Sequence, residues 1–384
     1  MYTLFENRIK SWMDLGKDSF LQESLFGLEK ESLRVAEDGK ISQLPHPPRL
    51  GSALTHPYIT TDYSEALLEL ITPPLTPGSA ALDFLRDIHQ FVYQTVDNEM
   101  LWASSMPCIV TGEASIPIAQ YGSSNPGVMK TVYRKGLAYR YGKMMQVIAG
   151  VHYNFSYSPA FWQRFAEIDG VATVDQSYIN QQYFAMIRNL QRYGWIVAYL
   201  FGASPAVCRS FIDGPNVGLE EYDPYTYYQP YATSLRLGDI GYQNHKEGES
   251  GVKANYDSID TYVNSLRCAI NTPYDKYAKF GVKVDGEYRQ LNANILQIEN
   301  EYYSSVRPKQ VTQSREEGAL SALDKRGVKY VELRSLDLNV FEPSGISQTQ
   351  TYFLEVFCLF CLFHYSPVSI RDFAGNRPMV TLTE

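Results

Sequence analysis

Glu29 and Glu31 stand two residues apart in "FGLEKESLRV" (26–35), a run whose apolar frame reads as a β-strand. Residues two apart on an extended chain project to one face, so this strand carries two like charges side by side. The pattern recurs. His152, Asn154 and Ser156 alternate with apolar residues in "VHYNFS" (151–156), and Glu332 and Arg334 share a face of "YVELRSL" (330–336). Gln297, Glu299, Glu301 and Tyr303 alternate in "LQIENEYY" (296–303), and Glu69 interrupts the aliphatic "LLEL". A sheet with one face in water shows the same alternation. Solvated faces, however, usually mix in Lys and Thr, and these polar faces hold no Lys. Clustered carboxylates raise one another's pKa unless a cation sits among them. Oxygen ligands of this kind suit Mg²⁺, with Mn²⁺ as an alternative. Mg²⁺ in turn suits phosphoryl transfer, and an arginine on the same face, Arg334, suits the transferring phosphoryl group. Carboxylates alone leave a Mg²⁺-dependent phosphohydrolase open, which would release phosphate from a nucleotide without a second substrate.

Other chemistries fit less well. The chain has no G-x-x-x-x-G-K-[ST] phosphate loop, no H-E-x-x-H and no G-x-S-x-G around Ser204. The segment 122–127, Gly-Ser-Ser-Asn-Pro-Gly, reads as a plain turn. A net charge of −8 argues against nucleic-acid or anionic-membrane partners, and small-molecule substrates are expected instead. The 5 cysteines are scattered and odd in number, which fits reduced thiols in the cytoplasm better than a disulfide framework. The N-terminus lacks the apolar core of a signal peptide. The most apolar stretch, "TYFLEVFCLFCLF" (351–363), is too short to span a membrane and reads as a buried helix.

The elements that must position these residues follow from periodicity. Helices are expected over 3–25, 79–100, 131–150 and 176–202, and strands over 26–35, 66–74, 151–158, 296–308 and 327–337. The Gly/Pro/Tyr-rich stretch 213–234 is expected to be a long loop, a candidate lid. Polar strands spread from residue 29 to residue 334 favour one α+β domain over 1–384 with a mixed or antiparallel sheet.

The motifs converge on a known family. "GLEKESLRV", "GSALTHPYITTDYSEALLELITP", "AQYGSSNPGVMKTVYRKGL", "RYGKMMQVIAGVHYNFS", "LQIENEYYSSVRPK" and "YVELRSLDLNVFEP" resemble glutamate–cysteine ligase of the gamma-proteobacterial type, from about residue 20 to about residue 362. The resemblance implies a glutamine-synthetase-like fold, a curved antiparallel sheet covered by helices. It implies use of ATP and Mg²⁺ to phosphorylate the γ-carboxylate of L-glutamate, followed by attack of the L-cysteine amine, the first step of glutathione synthesis. It implies Glu29, Glu31, Asp62, Glu69 and Glu332 as metal ligands, with Glu29 and Arg334 at the chemistry. Arg334 and His152 would face the nucleotide. Tyr133, Arg134, Gln146, His152, Asn154, Arg236, Tyr242 and Tyr303 would surround the amino-acid substrates. Family members of this type run well past residue 384, so a helical C-terminal region is expected to be missing. Another amine acceptor, or an inactive shortened member, are the alternatives.

Overall fold

The computed structural model describes residues 2–15, 23–212, 218–241, 253–314 and 317–368. In chain order, helix α1 (Tyr2–Asp14) leads to strands β1 (Leu25–Ala36), β2 (Ile59–Thr61) and β3 (Leu67–Ile71), helix α2 (Gly78–Tyr93) and strand β4 (Glu99–Leu101). Helix α3 (Asn125–Tyr141), strand β5 (Val151–Ser156), and helices α4 (Pro159–Ile168), α5 (Gln176–Tyr193) and α6 (Trp195–Phe201) follow. Strands β6 (Ala206–Cys208), β7 (Glu220–Asp223) and β8 (Thr226–Tyr228) form a small sheet of their own. Then come helices α7 (Ile259–Asn271) and α8 (Asp275–Ala278), and the short hairpin β9 (Lys283–Val284) and β10 (Glu287–Tyr288). Strand β11 (Val306–Lys309), helix α9 (Ala319–Arg326), strand β12 (Tyr330–Leu336) and helix α10 (Gln348–Phe363) complete the described chain.

The main sheet runs β11-β12-β5-β1-β3-β2, with β4 added to the end of β1. Every pairing in it is antiparallel. The α+β architecture with an antiparallel sheet is therefore as expected. Because side chains alternate, the register sets two faces. Leu28 lies opposite Tyr153, and Val331 opposite Phe155. This apolar underside is buried with Leu68, Leu70 and Leu333. Phe155, Tyr157 and Phe161 carry it into an aromatic column, with ring centroids 4.7 and 4.0 Å apart. Helix α10 belongs to the same core through Leu354, Cys358, Cys361 and Leu362, each fully buried, as the apolar run 351–363 predicts. Burial of each such side chain contributes on the order of 1.5–3 kcal/mol.

Several expected elements differ. The helix expected over 131–150 starts earlier, at Asn125, because Ser124 caps it by accepting from the Gly127 amide and Pro126 occupies its first turn. The turn expected at 122–127 is thus partly a helix start. The long helix expected over 176–202 is interrupted at Gly194, a poor helix former, between α5 and α6. Of the loop expected over 213–234, residues 213–217 lie outside the described residues, and Glu220 to Tyr228 is strand apart from its turn, where the Asp223 carboxylate accepts from the Tyr225 amide at 2.8 Å. The strand expected over 296–303 is instead a bent segment with a 3₁₀ turn at Glu299–Glu301. Its glutamates bond to backbone amides, Glu301 to Gln297 at 2.6 Å and Glu299 to Leu320 at 2.9 Å, and this curls the chain away from a sheet.

Candidate active site

The upper face of the sheet collects the charged residues. Antiparallel register sets Glu29 opposite His152, Glu31 opposite Glu69, and Glu332 opposite Asn154. Four strands, β1, β3, β5 and β12, thus deliver side chains to one region. The Glu29 carboxylate accepts from Asn154 Nδ2 at 2.8 Å and meets His152 Nδ1 at 3.0 Å. The Glu332 carboxylate lies 4.0 Å from the same ring nitrogen, 3.3 Å from Lys309 Nζ and 3.3 Å from Arg334 Nη1. One ligand atom from each of Glu29, His152 and Glu332 falls within 4.8 Å of the others.

Glu31 is the next acid along β1. Its carboxylate accepts from the Gly150 amide at 2.8 Å and stands 3.7 Å from His152 Nε2. Gly150 was not picked out in the sequence, yet the site depends on it. A Cβ there would collide with the guanidinium of Arg236, which donates to the Arg334 carbonyl at 2.7 Å. A lone glycine one residue before the "VHYNFS" strand is the only sequence signal for this close approach.

The electrostatics divide the acids into two groups. Burial pushes the Glu29 and Glu332 carboxyls up, but their cationic neighbours outweigh it. The His152 hydrogen bond leads for Glu29, and Lys309 and Arg334 lead for Glu332, so both end below the usual carboxylate range. Glu31 and Glu69 go the other way. Burial raises both, Asp62 raises both further, and Glu69 also feels Glu29 and Glu31. Asp62, Glu31 and Glu69 thus form an acid-rich pole beside a cation-rich one.

The remaining expected residues lie around this line. Tyr303 donates to Gln146 at 3.0 Å, and Tyr133 is close enough for its hydroxyl to feel Tyr303. Among the described residues, Gln146 Nε2 and Asn154 Oδ1 are buried with no hydrogen-bond partner. Arg134 is committed to the fold: it donates to the carbonyls of Asp62 and Lys130 and stacks over Tyr121, so it holds the Asp62 turn in place. Tyr242 lies outside the described residues. Glu301, one of the alternating acids of the sequence, is not at the site; it pairs with Arg140 at 2.8 Å. Sequence reasoning missed Lys309 and His152's place among the candidate metal ligands. A cavity of about 590 Å³ opens on Glu31, His152, Arg236, Tyr303 and Arg334 and extends to Trp195.

An antiparallel sheet with one face of carboxylates, histidine and arginine defines the class of protein, an α+β protein with a polar, metal-competent site on its sheet. The comparisons give the family. A model described as glutamate–cysteine ligase matches residues 9–375. A relative named glutamate–cysteine ligase from Alcanivorax borkumensis is 52% identical over 367 residues, 94% of this chain and 69% of its own length. One of the same name from Pseudomonas aeruginosa is 53% identical over 348 residues, 91% of this chain and 66% of its own. The crystal structure of a glutamate–cysteine ligase from Francisella tularensis in complex with AMP superposes with a TM-score of 0.83 at 39% identity, over 90% of this chain and 67% of that one. This chain belongs to the glutamate–cysteine ligase family, which bears out the family read from the motifs. It spans about two thirds of the length of these relatives. Among the described residues, no helix is long and apolar enough to cross a membrane.

Proposed function

We propose that this chain, as one catalytic unit, joins the γ-carboxylate of L-glutamate to the amine of L-cysteine at the expense of ATP, in the cytoplasm. The observation that carries the reading is the meeting of Glu29, His152 and Glu332 within 4.8 Å, with Arg334 beside them. The donor set fits Mg²⁺: oxygens dominate, and among the described residues Glu332 Oε2 is buried without a hydrogen bond. Glu29, Glu332 and His152 would hold one ion, and Glu31, Asp62 and Glu69 another. Such ions neutralise phosphate charge and polarise phosphoryl oxygens.

The residues of the chain do the rest. Arg334 stabilises charge on the phosphoryl group as it passes from ATP to the glutamate γ-carboxylate, giving γ-glutamyl phosphate and ADP. Arg236, fixed against Gly150, suits the α-carboxylate of glutamate. Gln146, Tyr133 and Tyr303 frame the side from which the cysteine amine attacks the acyl carbon and displaces phosphate. Proximity supplies much of the rate, and the buried setting of His152 and Glu332 keeps water from the acyl phosphate.

The test is ADP release from ATP and Mg²⁺ with glutamate present or omitted, and with cysteine or a panel of other amines. Glutamate-dependent ADP that rises with cysteine supports the reading. Phosphate release that ignores glutamate replaces it with a hydrolase, and a better amine than cysteine reassigns the acceptor.

A further inference from the structure

The polar face does not end at β12. On the edge strand β11, Arg307 lies opposite Glu332 and Lys309 opposite Tyr330, so both project to the face that carries the carboxylates. Their surroundings differ. Arg307 is spent on the chain itself, donating to the carbonyls of Asn300 and Tyr302. Lys309 has one hydrogen-bond partner among the described residues, Glu332 Oε1 at 3.3 Å, although an ammonium carries three N–H groups. Its side chain is 26% exposed, whereas that of Glu332 is 1% exposed. Glu332 is therefore flanked by two cations, Arg334 on the side facing His152 and Lys309 on the side facing the sheet edge.

We propose that Lys309 binds the α- and β-phosphates of the nucleotide, which enters from the β11 edge with its terminal phosphoryl group toward Arg334. The assignment rests on the ligase reading above. A polyanion laid along this line meets Lys309 first, passes the ligand cluster around Glu332 and ends where Arg334 and the glutamate site begin. A lysine suits the inner phosphates as a point charge, and the planar guanidinium suits the group in transfer. If Lys309 served only to neutralise Glu332, its removal would disturb every ligand alike.

The experiment compares adenosine, ADP and a non-hydrolysable ATP analogue, with Mg²⁺, on wild type, Lys309→Met and Lys309→Arg. Binding is read by calorimetry or by displacement of a fluorescent nucleotide. Lys309→Met is expected to weaken ADP and the ATP analogue about tenfold, the worth of one charge-assisted bond, while adenosine stays within twofold. Lys309→Arg restores most of the loss. In turnover, KM for ATP rises about tenfold while kcat and KM for glutamate stay within threefold. ADP affinity unchanged in a folded Lys309→Met variant overturns the assignment, as does a parallel loss for adenosine. If that variant does not fold, Lys309→Gln gives the same reading. A wild-type chain that binds ADP in a Lys309-dependent way but forms no ADP from ATP with glutamate sinks the ligase reading and keeps this one. A wild type that binds no nucleotide sinks this one.

Discussion

Two buried ion clusters sit within the same molecule, and they are built differently. At Arg140 and Glu301 each guanidinium nitrogen and each carboxylate oxygen has a hydrogen-bond partner. Arg140 donates to Glu301, to Gln290 and to the Asn292 carbonyl, while Glu301 also accepts from Tyr141 and the Gln297 amide. At Glu29, His152 and Glu332 valences are left over: among the described residues Asn154 Oδ1 is buried without a hydrogen bond, and Glu332 Oε2 has the Arg334 guanidinium 3.3 Å away but no hydrogen bond. A saturated cluster holds segments together, here α3 to the bend at 299–301. An unsaturated one costs stability until a ligand completes it. Incompleteness, more than charge, separates a site from a strut.

The largest expected effect breaks the strut. Arg140→Met leaves the Glu301 carboxylate buried and unpaired, and should cost about 3–5 kcal/mol of stability, read as a fall in the denaturation midpoint. Glu301→Gln should be milder, since it keeps most of the shape.

The next breaks the site and spares the fold. Glu29→Gln should lower ADP release on the order of 100-fold while its thermal midpoint stays near that of wild type, because the ligand set is lost but the strand is not. A variant as active as wild type would remove Glu29 from the metal set.

Ligand addition sharpens the contrast. Mg²⁺ should stabilise wild type by about 1–3 kcal/mol at saturating concentration and leave Glu29→Gln nearly unmoved. The pH dependence has a definite sign. Glu31 and Glu69 have folded pKa values above 4.5, so between that value and their raised values the folded chain holds more protons than the unfolded one. These two carboxyls therefore contribute metal-free stability that falls as pH rises through this window, opposite in sign to the buried His89, whose pKa is lowered to about 3. Mg²⁺, which displaces those protons, should reduce the fall. Melting curves across pH for wild type and a Glu31→Gln, Glu69→Gln variant, with and without the ion, test this, and a metal-free difference between the two that climbs through the window would contradict the arrangement.

Smaller effects close the series. Tyr303→Phe removes the bond to Gln146 and should cost about 1 kcal/mol in acceptor binding, seen as a several-fold rise in KM for cysteine. Arg267→Ala breaks an exposed pair with Asp324 and should change stability by less than about 0.5 kcal/mol.

The site was legible in the sequence where it lies on regular strands. Glu29, Glu31, Glu332 and Arg334 betrayed themselves because a period of two forced charges onto one face of otherwise apolar runs. The same rule misled at 296–303, where alternation was real in the letters but side-chain bonds to backbone amides bent the chain before a strand could form. Lys309 was invisible for a related reason. Lys309 lies one residue beyond the strand expected over 296–308, because Pro308 reads as its end, yet an edge strand tolerates proline and runs on to Lys309. Gly150 and the Arg236 guanidinium are brought together by tertiary approach, which no local pattern encodes. The buried pair Lys30 and His89, 2.9 Å apart, likewise surprised the periodicity: burial lowers the Lys30 pKa to about 7, so an apolar environment holds a residue that the sequence would send to the surface.

Strand β1 pairs with β3, β4 and β5, and it alternates site residues with residues that face the underside. A slip of one position would turn Glu29 and Glu31 into the apolar layer and lift Lys30 into the site. Folding errors and catalytic errors are therefore the same event in this strand. A chain population cannot hold a fraction that is well packed there but inactive through mispairing, nor one that is active but mispaired. Assaying activity per molecule thus counts correctly registered sheets, and a loss that comes from a slip of β1 reads as a fraction of inactive chains rather than a uniformly weakened enzyme.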